Sequence, residues 1–133
     1  MKYKIVPVRT SLILTNGYVA GNVLGNSNDS KGNIMGAIEG FNQLELEVEF
    51  TLGSLTSAEI KIEFSDNNTT FYQQAFSAIS GSVNSLTLGV NTLIASGNYL
   101  LSLPISSKYI KISSHGTGTV TNSLLAITAK IRN

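Results

Sequence analysis

The stretch Leu44-Glu45-Leu46-Glu47-Val48-Glu49-Phe50 alternates apolar and acidic residues without a fault. In an extended chain successive side chains point to opposite faces, so Leu44, Leu46, Val48 and Phe50 share one face and the three glutamates the other. A helix would scatter those glutamates around its circumference. The segment therefore reads as a strand with one dry and one wet face.

The pattern spreads outward from there. Ile60, Ile62 and Phe64 alternate with Lys61 and Glu63, with Gly53 and Ser54 in the connection, which predicts a hairpin. If these two strands pair, Lys61 lies opposite one of the glutamates and offsets their repulsion. Thr69 to Phe76 is rich in aromatic and β-branched residues and reads as a strand. Leu86, Leu88 and Val90 alternate with small polar residues, as do Tyr99, Leu101 and Leu103 up to Pro104. Proline cannot donate to a ladder, so it ends that strand or lies on a sheet edge. Ile110 and Ile112, then Leu125, Ile127, Ala129 and Ile131, complete the series. Turn-formers mark the gaps: Asp66-Asn67-Asn68, Ser80-Gly81-Ser82, Ser96-Gly97-Asn98 and Gly116-Thr117-Gly118. Short strands with turns every ten or so residues indicate an all-β, antiparallel β-sandwich of about eight strands.

The first forty residues differ. Tyr3 to Arg9 and Ser11 to Thr15 each read as a strand, and a Gly- and Asn-rich region follows Asn16-Gly17. We expect residues 1–40 to provide one strand of the sandwich plus an extended arm or long loop, mobile around Asn26 to Lys31, with some alternation from Ile34 to Ile38. Residues 41–133 form the core sandwich, and 1–133 is one domain, in keeping with typical domains of roughly 100–150 residues.

Composition narrows the chemistry. Nine Lys and Arg balance eight Asp and Glu, and charged residues make up 13% of the chain, about half the usual quarter. Lys2, Lys4, Arg9, Lys108, Lys111, Lys130 and Arg132 do not form the dense cationic face that phosphate neutralisation requires, so no nucleic-acid partner is expected. Cysteine is absent, which excludes disulfides and thiolate metal sites. No run approaches the 18 or more apolar residues of a membrane helix, and Pro7, Arg9 and Thr10 interrupt any secretion signal. The protein is expected to stay in the cytoplasm until it assembles.

No catalytic set emerges. His115 is the single histidine and precedes Gly116-Thr117-Gly118, where a turn is expected. Zinc needs about three or four ligands, and no G-x-S-x-G elbow occurs. Glu45 and Glu47 share a strand face at a spacing compatible with a glycosidase pair, with Glu49 as a third carboxylate, but the outward acidic face of an antiparallel strand is the preferred explanation. Gly116-x-Gly118 lacks the third glycine of a dinucleotide loop. The expectation is a non-enzyme with no catalytic, cofactor or metal site.

Two segments carry a resemblance. Ile60 to Tyr72, with Ser65-Asp66-Asn67-Asn68-Thr69-Thr70 at its turn, resembles the strand–turn–strand element of discoidin-type jelly-roll domains, and Lys108-Tyr109-Ile110-Lys111-Ile112 resembles a later strand of the same domains. The run from Leu44 to Ile131 also resembles small virion proteins of tailed bacteriophages. It shares the Thr51-Leu52-Gly53 turn, the Ser-Asp hairpin, the Gly97-Asn98-Tyr99 strand start before Pro104 and the Gly116 to Val120 turn. The resemblance implies a jelly-roll-like sandwich in the virion: a capsid decoration, head-tail or fibre component contacting capsid or tail subunits, and a homo-oligomer. The alternative it implies is a carbohydrate-binding module. Residues singled out for ligand or partner contacts are Tyr18, Asp66, Asn67, Asn68, Phe71 and Tyr72. The chain lacks Trp, and most of its aromatics fall in or beside strands, a departure from sugar-binding members.

Overall fold

A computed structural model describes residues 3–13, 17–25 and 41–133. Among these the chain is all β, with eleven strands in three antiparallel sheets rather than about eight. The strands are β1 (Tyr3–Ile13), β2 (Val19–Ala20), β3 (Gln43–Thr51), β4 (Leu55–Ser65), β5 (Tyr72–Gln73), β6 (Ala75–Ser80), β7 (Val83–Leu88), β8 (Val90–Leu93), β9 (Gly97–Pro104), β10 (Tyr109–Gly118) and β11 (Leu124–Arg132). The first sheet runs β1-β11-β3-β9 and the second β2-β10-β4-β5, with β8 also pairing β4. The third sheet is the ribbon β6-β7.

Alternation places the core between the two larger sheets. From the first come Leu44, Leu46, Val48, Phe50, Leu125, Ile127, Ala129 and Ile131. From the second come Ala58, Ile60, Ile62, Ile110 and Ile112. Each such side chain taken fully out of water contributes roughly 1.5–3 kcal/mol. The wet faces behave as their sequence requires. Glu45 lies opposite Lys130, and the Glu45 carboxylate accepts two hydrogen bonds from Arg132, at 2.9 Å from Nε and 2.6 Å from Nη2.

Strands β3 and β4 do not form the expected hairpin. They belong to different sheets, and the connection at Leu52–Ser54 crosses from one to the other. Gly53 makes that crossing with φ +58, and a Cβ there would come within 2.2 Å of the Thr121 carbonyl oxygen. The corner is fastened by Ser54 N–H donating to Thr121 O (3.1 Å) and by the buried Ser123 hydroxyl donating to Leu52 O (2.7 Å). Lys61 accordingly faces Ser113 across β10 and sits 3.5 Å from Glu63 of its own strand, not opposite the β3 glutamates. Alternation alone assigns faces, not partners.

Other sequence expectations also shift. The strand expected over Thr69 to Phe76 is divided between Tyr72–Gln73 and the start of β6 at Ala75, and its first residues fall in a loop over 66–71 that side chains order. The Ser65–Asp66 hairpin itself exists, with Phe64 paired to Tyr72. Leu86 and Leu88 lie in a strand as expected, yet both are exposed. His115 is not in a turn: β10 runs through to Gly118, whose φ of +103 marks a register shift against β4, and the chain reverses after it, with Asn122 at φ 55. Pro104 ends an edge strand, as its chemistry demands.

At the start of the chain β1 is one continuous strand with register shifts, paired to β11, so the charged terminal segments are neighbours. The Gly- and Asn-rich region begins as part of the second sheet. Val19–Ala20 pairs with β10, and Leu24, fully buried, bridges Ile110. The loop expected around Asn26 to Lys31 and the alternation from Ile34 to Ile38 lie outside the described residues.

Candidate functional site

The outer face of the second sheet carries a continuous polar network. Antiparallel register sets Glu59 beside His115 and Glu63 beside Lys111, while β2 brings Tyr18 alongside. Tyr18 O–H donates to Glu59 Oε2 at 2.7 Å, and His115 Nε2 lies 2.6 Å from the same oxygen. The Tyr18 and His115 rings meet edge-on with centroids 4.2 Å apart. Lys61 Nζ sits 4.3 Å from the centre of the Tyr18 ring. Farther along, Lys61 and Lys111 flank Glu63 at 3.5 and 3.6 Å, and Lys111 Nζ lies 4.2 Å over the Phe71 ring.

The electrostatics follow from these contacts. Hydrogen bonds from Tyr18 and then His115 hold the Glu59 carboxyl below the usual carboxylate range. Partial desolvation, reinforced by the hydrogen bond and negative charge of Glu59, pushes the Tyr18 phenol up to about 12. Glu59 is thus an anion whose Oε2 meets both neighbours, and Tyr18 a neutral donor. Such a set binds its own members. Among the described residues no three of His, Asp and Glu gather closely enough to hold a metal ion.

The residues singled out from sequence separate into three places. Tyr18 and Phe71 belong to this face, each with a lysine over one side of its ring. Asp66, Asn67 and Asn68 build the loop between β4 and β5. Asn67 Oδ1 accepts from Thr69 N (2.9 Å) and Thr70 N (2.8 Å), Ser65 Oγ accepts from Asn67 N and Asn68 N, and Asp66 Oδ1 accepts from Lys108 N. Asn68 adopts φ 58, which asparagine tolerates. Tyr72 stands apart at 68% exposure.

Sequence reasoning missed a second surface. Among the described residues strands β6 and β7 pair only with each other, and every residue in them is exposed. Phe76, Ile79, Val83, Leu86 and Leu88 are all more than half exposed. The foot of this ribbon is fixed: Gln74 N–H donates to Ile62 O and Gly89 N–H to Gln74 O at 2.7 Å, while the Phe76 ring lies across Gly89. Beside the foot a cleft of about 210 Å³ opens between β8 and β9, lined by Ile62, Phe76, Gly89, Val90, Leu101 and Leu103 among others. That is smaller than the roughly 300–1,000 Å³ of sites for small molecules. One signal was available in the sequence: between Asp66 and Lys108 no residue carries a charge.

No protein-family model matches this sequence, and no curated protein matches it. Among solved structures, the crystal structure of SPBc2 prophage-derived protein YomS is similar over 98% of this chain and 92% of its own, with a TM-score of 0.51 and 15% identity. At that identity the likeness is one of fold. The chain is therefore an all-β protein with a sandwich-like arrangement of antiparallel sheets and a structural neighbour of prophage origin.

Proposed function

We propose that this chain is a non-enzymatic structural protein of a bacteriophage particle, assembled in the host cytoplasm and working through protein–protein contacts. The observation that carries the reading is the projecting ribbon β6-β7, an apolar surface with no core of its own. An isolated two-stranded ribbon is marginal in water, and its natural use is to be covered. Two further features support the reading. The strand order β1-β11-β3-β9 over β2-β10-β4-(β5, β8) supports a jelly-roll reading, and jelly rolls serve in viral capsid and lectin domains. The structural neighbour comes from a prophage. Fold analogy by itself does not assign function, which is why the ribbon carries the weight.

Particles purified from a strain that encodes this chain test the proposal. Mass spectrometry is expected to find the chain at stoichiometric copy number alongside capsid or tail subunits. Its absence from purified particles overturns the virion reading. Capsid decoration, a head-tail joint and a fibre are then distinguished by where an antibody labels the particle.

Carbohydrate binding is the second reading, and Tyr72 favours it, as an exposed ring beside the Asp66–Asn68 loop. Binding on a glycan array that is lost in Tyr72→Ala supports it, and a flat array at high protein concentration removes it.

A further inference from the structure

Resting on the protein-contact reading above, we infer that the ribbon β6-β7 is a self-association arm whose partner is the same ribbon on a second copy of this chain. Pairing across the ribbon decides its faces. Ala75 opposes Leu88, Ser77 opposes Leu86 and Ile79 opposes Asn84, so Ala75, Ser77, Ile79, Asn84, Leu86 and Leu88 share one face. The other face carries Phe76, Ala78 and Val83 with Ser80, Ser85 and Thr87, and its Phe76 leans on the foot of the ribbon. The first face is the more apolar and the more open, with Ile79 at 75% and Leu86 at 77% exposure.

Charge selects the occupant. The ribbon and its surroundings from Asn67 to Ser107 carry no charged residue. A nucleic acid or an anionic membrane needs cations that are not there. A charged protein partner would bury its charges against groups unable to answer them. A copy of the same face meets none of these penalties: it is apolar where this face is apolar, and it brings no like charge. Such a contact is isologous, the commonest symmetry of soluble oligomers. Neither edge of the ribbon is protected by a charge or a proline, the devices that normally keep edge strands from pairing.

Area sets the strength. Ile79, Leu86 and Leu88 together offer on the order of 400 Å², within the range of an ordinary apolar surface patch and about half of the ~800 Å² each partner gives to a standard interface. The arm therefore makes a weak, concentration-dependent dimer, suited to an array in which neighbours are already held close.

The absence of cysteine makes the test clean. Sedimentation of the full chain from micromolar to millimolar concentration is expected to show monomer giving way to dimer, and Leu86→Lys to raise the half-dimerisation concentration by at least about tenfold with an unchanged thermal transition. Ser77→Cys, at the centre of the apolar face, is expected to cross-link rapidly with a short bismaleimide, and Ser85→Cys, on the opposite face, slowly. A chain that stays monomeric at millimolar concentration overturns the inference, as does equal cross-linking from both positions. A monomer that is nonetheless found in particles removes only this inference. A dimer absent from particles removes only the virion reading.

Discussion

His115 Nε2 and Glu59 Oε2 lie 2.6 Å apart on the outer face of the second sheet, joined across β10 and β4 by direct register. The other ring nitrogen, Nδ1, lies 3.2 Å from the Gly116 carbonyl oxygen. Both neighbours are acceptors, so the two contacts are hydrogen bonds at once only when the ring carries both protons. Glu59 in turn accepts from Tyr18, which makes one carboxylate oxygen the junction of three strands.

That junction gives stability a pH dependence of definite sign. The folded-state pKa of Glu59 is depressed by its donors, so its contribution is present above the ordinary value of 4.5 and is lost as pH falls through the lower folded value. Denaturant midpoints of the wild type and Glu59→Gln, measured over a pH series, are expected to differ at neutral pH and to converge in acid. A difference that stays constant across the series contradicts the arrangement.

Tyr18 provides the complementary readout at high pH. Its pKa is raised to about 12, so what it contributes is complete below the ordinary value of 10 and is lost as pH rises through about 12. The tyrosinate absorbance difference between wild type and Tyr18→Phe isolates this one phenol among five tyrosines. In a Glu59→Gln background the titration is expected to move part of the way back toward 10, because desolvation is the larger cause and remains.

Two leucines in strands of similar pattern are expected to behave oppositely. Leu46 is fully buried between the sheets, and Leu46→Ala is expected to cost about 2–5 kcal/mol. Leu86 is 77% exposed, and Leu86→Ala is expected to change the stability of dilute protein by no more than about 0.5 kcal/mol. Urea unfolding at low micromolar concentration measures both, and equal losses would show that the ribbon packs on the sandwich.

The corner at Gly53 is a sharp test of the topology. A left-handed residue with a Cβ costs roughly 1–2 kcal/mol from backbone alone. Here the added carbon also meets the Thr121 carbonyl oxygen at 2.2 Å, which is backbone and cannot rotate away. Gly53→Ala is expected to lower the thermal midpoint by more than Gly81→Ala, because Gly81, also at positive φ, has open space around it. Equal shifts would mean that the crossing is looser than described.

Loss of the Asn67 side chain probes the loop rather than a binding surface. Asn67→Ala leaves the Thr69 and Thr70 amides without their acceptor, and faster hydrogen exchange at those two amides, with the strands unaffected, is expected.

The sequence by itself determined the long core strands, the dry face of each of them, and that no charged residue lies between Asp66 and Lys108. Leu44 to Phe50, Ile60 to Phe64 and Leu125 to Ile131 were legible because a period of two is a local property, and burial of one face enforces it. Tertiary structure decided the partners. Whether Gly53 turns a hairpin or crosses between sheets depends on the Thr121 and Ser123 groups that meet it, far along the chain. The same is true of His115, placed beside Glu59 and Tyr18 only by the register of three strands, and of Leu86 and Leu88, whose alternation looks like a core strand. Among the described residues no neighbouring layer covers those leucines, and alternation cannot report whether one will.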